Sequence, residues 1–375
     1  MIYFDNAATT RVCAEAAEVM ASVLTQQYGN PSSTHAMGRQ ARELLDRARE
    51  DVAKAVGAEK SEIFFTSGGT ESDNWAVSGV CARRRKPGHI VTSAYEHDAM
   101  LQICAKMEQQ GWSVTRLKPD GEGHITPEMV KDALREDTAL VSVMLVNNEI
   151  GAVNDLAAIA AAVKKNSGAL LHTDAVQGLF KVPLSVRKLG VDLLSLSGHK
   201  IHGPKGIGAL YVRQGVKPAP MILGGGQESG QRSGTEAMPA ICGFAAAVRA
   251  GRREFPESAE RMRSLRRFLT ERLAESLPEV VILGPGDAPH ILSVSLPGHR
   301  SEILLNLLDA EGICVSKGSA CKKGRRSHVL EAMGYAPDVI DGTLRVSLCR
   351  DNTREEAEAF VEKLKESAGR VLKKI

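Results

Sequence analysis

Between residues 60 and 212, apolar runs of strand length alternate with segments of helical periodicity. The strand-like runs are residues 63–65, 90–92, 113–117, 139–146, 169–172, 193–196 and 208–212. Parallel neighbours need a long crossover connection, which a helix supplies, so this alternation is typical of a parallel sheet covered by helices. The pattern therefore predicts an α/β fold whose large domain contains a mainly parallel seven-stranded sheet.

A second, smaller unit is predicted after the sheet. Two long helical patterns at 238–254 and 258–276 lead into it. It combines apolar runs with helices, at residues 280–283, 291–295, 301–311, 344–348 and from Arg354 onward. The polar stretch 252–258, which contains Pro256, separates the two parts. We therefore expect a large domain of residues 15–254 and a small α+β domain made of residues 1–14 and 255–375.

Composition excludes several classes of protein. The 375 residues are 43% apolar and carry a net charge of +3, which is too balanced for a nucleic-acid-binding protein. No apolar stretch reaches membrane-spanning length, and the first residues lack the pattern of a secretion signal. The seven cysteines form no C-x-x-C pair and no zinc-ligand spacing. We expect a cytoplasmic protein with reduced thiols, no metal site, and no direct nucleic-acid or membrane partner.

Lys200 is the strongest candidate for covalent chemistry. It ends the sequence Ser-Gly-His-Lys, directly after the apolar run 193–196, and glycines and Pro204 follow. A lysine held on a tight turn at the end of a strand suits a Schiff-base lysine, and Ser197 and His199 can donate hydrogen bonds to an adjacent anion. For the isolated motif an ordinary surface lysine in a turn is the favoured explanation, so the rest of the chain must decide.

Other strand ends carry polar groups as well. The glycine-rich turn 66–74 resembles a phosphate-binding strand-to-helix turn, although a plain helix cap explains it too. Asp174 follows the run 169–172, where a carboxylate can keep an aromatic nitrogen protonated or simply cap a helix. His97 and the segment 147–149 follow two further runs. Because ligands bind beyond the carboxyl ends of parallel strands, the set predicts one active site.

Cys321 differs from the other cysteines. Its neighbours within 317–326 include two glycines, two small residues and five basic residues. An accessible thiol in positive surroundings can react as a thiolate, whereas the simpler interpretation is a solvated basic loop with an incidental cysteine. We further hypothesise that the basic residues after Cys321 lower the pKa of its thiol.

Together these segments closely resemble the cysteine desulfurases of the nitrogen-fixation and iron–sulfur-cluster type. These enzymes belong to the class V aminotransferase group and have the fold-type I architecture of pyridoxal-phosphate (PLP) enzymes. The matching segments are residues 3–10, 29–33, 66–74, 96–97, 146–151, 174–177, 197–208, 224–235, 318–321 and 344–347. The resemblance implies a homodimer that releases sulfur from L-cysteine, yields L-alanine and leaves a persulfide on Cys321.

The resemblance also implies the role of each site residue. Lys200 would bind PLP covalently, Asp174 would pair with its ring nitrogen, and His97 would stack on the ring and transfer protons. The remaining cofactor-binding residues would be Gly69, Thr70, Asn148, Gln177, Ser197, His199 and, from the partner subunit, Thr235. Arg345, with Asn148, would bind the substrate. The sulfur would pass to an acceptor protein, either an iron–sulfur scaffold or a tRNA-thiolation enzyme.

Two other kinds of protein fit parts of the sequence. A selenocysteine lyase or a transaminase would share the fold, but a transaminase would have no use for Cys321. A non-catalytic protein could use the basic loop to hold tRNA or an assembly scaffold, but it would not need Lys200, Asp174 and His97 together.

Overall fold

The computed structural model describes residues 1–317 and 326–371, and a seven-stranded sheet lies at its centre. The strands of the described residues are β1 (Ile2–Tyr3), β2 (Ile63–Thr66), β3 (His89–Ser93), β4 (Ser113–Leu117), β5 (Thr138–Ser142), β6 (Leu170–Asp174), β7 (Leu193–Ser197), β8 (Gly208–Val212), β9 (Val281–Leu283), β10 (Ile291–Ser295), β11 (Ile313–Cys314) and β12 (Thr343–Ser347). The central sheet has the order β2-β8-β7-β6-β5-β3-β4. In this sheet of described strands β8 runs opposite to the other six, so its pairings with β2 and β7 are antiparallel and the remaining four are parallel. The mainly parallel prediction is confirmed.

Helices cover both faces of this sheet. The α-helices of the described residues, in both parts of the chain, are α1 (Ala14–Thr25), α2 (Ala36–Val56), α3 (Gly69–Cys81), α4 (Asp98–Gln109), α5 (Pro127–Ala133), α6 (Leu156–Asn166), α7 (Val186–Leu189), α8 (Met238–Glu254), α9 (Glu257–Ser276), α10 (Ser301–Ala310), α11 (His328–Ala332), α12 (Pro337–Asp341) and α13 (Arg354–Arg370). Every residue of β3, β5, β7 and β8 is buried, as expected for strands covered on both sides. Within the part of the chain that is described, none of these helices has both the length and the apolar character that a membrane crossing requires.

The carboxyl ends of the parallel strands bring the candidate residues to one edge of the sheet. Strands β6 and β7 are neighbours, with Asp174 opposite Ser195 in the pairing register. Asp174 is the last residue of β6, and Lys200 lies in a 3₁₀ turn directly after β7. The expectation that these two residues reach one pocket from adjacent strands therefore agrees with the topology.

One predicted strand is longer than the observed one. The apolar run 139–146 was expected to be extended throughout, but β5 ends at Ser142. After it the chain leaves the ladder, and the backbone N–H of Met144 donates to Glu96 Oε1 at 2.9 Å. The residues after Ser142 remain apolar because they are buried beneath the site, so burial, rather than strand geometry, explains the length of the run.

The C-terminal part forms its own apolar cluster. Strands β9, β10 and β12 make an antiparallel sheet in the order β12-β10-β9, and α9, α10 and α13 pack around it. The N-terminal segment joins this cluster, since β1 pairs with β11 and the Phe4 ring meets that of Phe360 edge-on, with centroids 5.9 Å apart. Helix α13 begins with a capping box formed by Thr353 and Glu356. The separate clusters support the proposed two-domain division, whose boundaries remain a prediction.

Candidate active site

A cavity of about 240 Å³ lies at the carboxyl edge of the sheet. Ten of the twelve predicted site residues line it, namely Gly69, Thr70, His97, Asn148, Asp174, Gln177, Ser197, His199, Lys200 and Arg345. Thr235 does not line it and is exposed on the surface of the same chain. Cys321 lies outside the described residues.

Lys200 is held by rigid backbone on every side. Its Nζ donates to the carbonyl oxygens of Ala7 and Ala8, each at 2.7 Å. The turn that carries it is closed by a hydrogen bond from Gly203 N to Gly198 O at 2.9 Å. A Cβ on Gly198 would lie 3.1 Å from the Pro204 oxygen and 3.0 Å from a side-chain carbon of Ile207, so little space remains at this corner. This environment differs from that of an ordinary surface lysine, because the half-buried amine points into the cavity.

Asp174 is a buried carboxylate at the base of the cavity. Its Oδ1 accepts a hydrogen bond from the backbone N–H of Val176 at 2.8 Å. Burial raises the pKa of this carboxyl group, while the nearby His97 and Lys200 lower it. The carboxylate is thus positioned to pair with a cation in the cavity, as the prediction for a ring nitrogen requires.

The turn before α3 leaves the start of that helix without a side-chain cap. The N-cap residue is Gly68, with a φ of 149°, a conformation that favours glycine, and no side chain caps the first turn. The alternative of a plain side-chain cap is therefore wrong for this turn. Ser197 lies beside it, since a Cβ on Gly68 would be 3.7 Å from Ser197 Oγ. Uncapped N–H groups next to a hydroxyl can bind a phosphate.

His199 and His97 both line the cavity, but their hydrogen bonds differ. His199 Nδ1 lies 3.2 Å from Thr9 Oγ1, and burial together with Lys200 lowers its pKa to about 4, so the ring is neutral. His97 caps α4, because its Nδ1 accepts from the backbone N–H of Ala99 at 3.1 Å. A backbone N–H can only donate, so the proton of a neutral His97 ring is on Nε2. His97 is therefore a helix-capping histidine and a cavity residue at once.

Gln177 and Asn148 both line the cavity. Gln177 is buried, with its Nε2 donating to Ala7 O at 2.9 Å and its Oε1 at 3.2 Å from His290 Nε2. One of its two amide hydrogens is not used in these contacts and can donate to a ligand. Asn148 lies in a turn six residues beyond the end of β5, and its main-chain oxygen accepts from Arg345 Nη1 at 2.9 Å.

Arg345 places a guanidinium in the cavity from the C-terminal unit. Only 2% of the residue is exposed, and its Nη2 lies 3.1 Å from Asp5 Oδ1. It stands in the middle of β12, opposite Ser293 of β10. A buried guanidinium is permanently charged and can donate two parallel hydrogen bonds, so it binds a carboxylate ligand better than a lysine ammonium group would.

Sequence reasoning missed several residues of this cavity. Ala7 and Ala8 supply only backbone oxygens, which no side-chain pattern signals. Asp73 and Glu149, which lie within the predicted segments 66–74 and 147–149 but were given no role there, also line the cavity, and burial is the main cause that raises the pKa of each carboxyl group. Asp73 lies in the same turn-and-helix segment as Thr70, and a polar residue on the sheet side of that helix was the available signal.

Comparisons with known proteins agree with this geometry. The family model described as aminotransferase class V matches residues 2–360, so the chain belongs to that family. A protein named cysteine desulfurase IscS from Methanosarcina thermophila is 44% identical, with 96% of this chain and 90% of that protein covered. The relative of the same name from Clostridium botulinum is 41% identical, with 97% and 93% covered.

Solved structures give the same result. A structure titled as a NifS-like protein has a TM-score of 0.93 and 41% identity, covering 99% of this chain and all of the other. A structure titled as SspA in complex with cysteine has a TM-score of 0.83 and 34% identity, covering 94% of this chain and all of the other. Within the class V family, the chain is therefore a member of the NifS/IscS group of cysteine desulfurases, as the sequence motifs predicted.

The cavity fits the PLP cofactor on which this family depends. The donor set contains one amine at Lys200, one buried carboxylate at Asp174 and a helix start without a side-chain cap after Gly68. These match the aldehyde, the ring nitrogen and the phosphate of the cofactor in chemical kind. Bound there, PLP would supply an electron sink for negative charge that develops on the substrate.

Proposed function

We propose that this chain removes sulfur from L-cysteine, releases L-alanine and receives the sulfur as a persulfide on Cys321. The observation that carries the proposal is one cavity in which Lys200, Asp174 and Arg345 converge from three separate elements. Membership in the cysteine desulfurase group supports it.

The residues that line the cavity would each have a separate role in this reaction. Arg345 would bind the substrate carboxylate, with Asn148 beside it, and so fix the substrate's orientation. Lys200 would hold the cofactor and would also be placed to move a proton at the substrate's α-carbon. Asp174 would keep a positive charge on the ring nitrogen, and His97 would pack on the ring and exchange protons through Nε2.

The described residues on either side of Cys321 support its role as nucleophile. Before it, Ser316 N donates to Arg345 O at 3.2 Å. After it, the Ser327 hydroxyl donates to Glu149, and His328 lines the cavity. The four peptide units from Lys317 to Cys321 can span at most about 14 Å. The chain thus enters and leaves this segment next to Arg345 and Glu149, two residues that line the cavity, which supports the proposal that Cys321 reaches a bound substrate.

The proposed sulfur transfer to Cys321 requires no external oxidant. The Cys321 thiolate would attack the substrate sulfur, so that a sulfur–sulfur bond forms while the substrate's carbon–sulfur bond breaks. The electron pair of the broken bond stays on carbon, where protonation completes L-alanine. The sulfur remains on Cys321 until an acceptor thiol takes it.

Further partners are part of the same proposal. A second copy of the chain would cover the exposed apolar residues Ile222 and Leu223, and would bring its Thr235 to the phosphate end of this cavity. The sulfur acceptor would be an iron–sulfur scaffold or a tRNA-thiolation enzyme, in the cytoplasm. The proposed domain division would place Arg345 and Cys321 in one domain and Lys200 in the other.

Replacing Cys321 tests the assignment. We expect Cys321→Ala to abolish L-alanine formation from L-cysteine while the cofactor absorbance is unchanged, because the cavity residues are intact. The control is Cys13→Ala, which removes a half-buried thiol that does not line the cavity and should retain activity. Full turnover by Cys321→Ala would contradict the proposal and favour transamination.

A further inference from the structure

Three possible metal ligands meet outside the active-site cavity. A nitrogen of His202, the sulfur of Cys349 and a carboxylate oxygen of Asp351 all lie within 4.8 Å of one another. His202 comes two residues after Lys200, while Cys349 and Asp351 follow the end of β12. None of the three lines the cavity described above.

The hydrogen bonds of His202 leave one ring nitrogen ready to coordinate an ion. Its Nδ1 lies 3.0 Å from the main-chain oxygen of Arg11. A carbonyl oxygen can only accept, so Nδ1 carries the proton and Nε2 presents a lone pair. The residue is only 6% exposed, and among the described residues Nε2 has no hydrogen-bond partner. Metal-binding histidines are commonly oriented in this way, by a backbone oxygen on the opposite nitrogen.

We propose that His202, Cys349 and Asp351 bind one divalent transition-metal ion of the zinc class. Imidazole and thiolate are the ligands that such borderline-soft ions prefer, whereas magnesium and calcium require sets of oxygen ligands. Binding replaces the thiol proton of Cys349, so one proton is released for each ion bound.

The spacing and exposure of the ligands are suitable. Ligand atoms on a tetrahedral zinc ion lie about 3.5 Å apart. The Asp351 side chain is 73% exposed and can rotate inward, while Cys349 is buried. The exposed side gives the ion a path of entry and leaves a fourth position for water.

Two cations lie close to the site. Arg350 is paired with Glu254, with Nη1 2.8 Å from the carboxylate. Lys181 is buried and lines a small cavity together with His202. Arg350 Nε also lies 3.9 Å from Asp351 Oδ1, so Glu254 offsets part of its charge and a bound ion would compete with it for Asp351. The bound thiolate and the Asp351 carboxylate would supply two negative charges, which balance those of the ion.

A bound ion would connect two parts of the proposed catalytic machinery. His202 continues the turn that carries Lys200, and Cys349 continues the strand that carries Arg345. The ion would therefore fix the position of the turn that carries Lys200 relative to the strand that carries Arg345. This inference is independent of the proposed function, since cysteine desulfuration does not require the ion.

Metal titration of the holoenzyme tests the proposal. The titrations use protein carrying Cys321→Ala, so that this thiol does not contribute, with Zn²⁺ for stoichiometry and Co²⁺ as the spectroscopic probe. We expect one equivalent of ion per chain and a thiolate-to-cobalt charge-transfer band. Both should disappear in Cys349→Ser and in His202→Asn, and persist in the matched control Cys13→Ser. Substoichiometric binding, or binding unchanged by the first two substitutions, would overturn the proposal.

A variant of an exposed residue separates loss of metal binding from loss of folding. Cys349 and His202 are buried, so each variant is first compared with the parent by thermal unfolding without metal. Asp351→Asn changes an exposed side chain and should leave that unfolding unchanged. It should weaken Zn²⁺ binding about tenfold, the usual effect of losing a ligating or supporting carboxylate. Unchanged affinity in Asp351→Asn would contradict the assigned ligand set.

Discussion

Glu96 is a carboxyl group whose burial should make the protein less stable as pH rises. The residue is fully buried, and its Oε1 accepts from the Ser93 hydroxyl at 2.7 Å and from Met144 N at 2.9 Å. Its Oε2 has no hydrogen-bond partner among the described residues. Burial raises the pKa of Glu96 to about 8, and the charge of nearby Asp174 contributes in the same direction.

The size of the effect follows from that pKa. A rise from 4.5 to about 8 corresponds to about 5 kcal/mol, because each pKa unit is worth about 1.36 kcal/mol. Between these values the folded protein holds a proton that the unfolded chain releases, so the free energy of unfolding falls as pH rises. The contribution is fully present below about pH 4.5 and is lost by about pH 8. Glu96→Gln mimics the protonated form and should remove this dependence.

Denaturant unfolding of both proteins between about pH 5 and about pH 8 measures the difference. Cofactor-free protein is used, so that the pH dependence of cofactor binding does not contribute. We expect the stability of Glu96→Gln relative to the parent to increase by several kcal/mol across this range. Glu18→Gln, which removes an exposed carboxylate in α1, is the charge-matched control. A difference that stays constant with pH, or decreases, would refute the reasoning.

Two further predictions concern Arg345 and the last helix. Arg345→Lys should lower kcat/KM for L-cysteine about 10- to 100-fold, mainly through KM, because a lysine cannot make the forked contact with a carboxylate. Steady-state kinetics with the cofactor absorbance as a folding check measures it, and an unchanged KM would contradict the role. Thr353→Ala removes the capping box of α13 and should cost about 1 kcal/mol of unfolding free energy without changing kcat. Equal stability of Thr353→Ala and Thr353→Ser would count against the cap.

Much of this site could be predicted because parallel strands have a fixed polarity. Once the alternation of strands and helices is recognised, every residue just beyond a strand's carboxyl end is placed at one edge of the sheet. Asp174 and Lys200 met that condition and lie at the carboxyl ends of adjacent strands, β6 and β7. Asn148 met this condition only in part, because β5 ends six residues before Asn148. The residue nevertheless lines the same cavity.

The contacts that the sequence did not reveal come from distant backbone. Ala7 and Ala8 approach the Lys200 amine through their carbonyl oxygens, and every residue has such an oxygen. The cluster of His202, Cys349 and Asp351 was missed for a similar reason. Its members are up to 149 residues apart, so a search for ligand spacing along the chain could not find it. Only the folded chain brings residue 202 to the segment after β12.

The buried acids beneath the cavity explain how Asp174 can remain charged. Asp73, Glu96 and Asp174 lie close enough for their charges to interact, and the pKa of each is raised mainly by burial. Asp174 alone has both an amide donor and two neighbouring groups, His97 and Lys200, that lower its pKa. Asp73 has only weaker contacts among the described residues, such as His172 Nε2 at 3.7 Å from its Oδ1. Of the three, Asp174 is therefore the best placed to carry a negative charge, whereas burial raises the pKa of Glu96 to about 8 and that of Asp73 well above its usual value. One anion at the base of the cavity matches one cationic ring nitrogen, whereas three anions would repel one another and favour protonation of Asp174 itself.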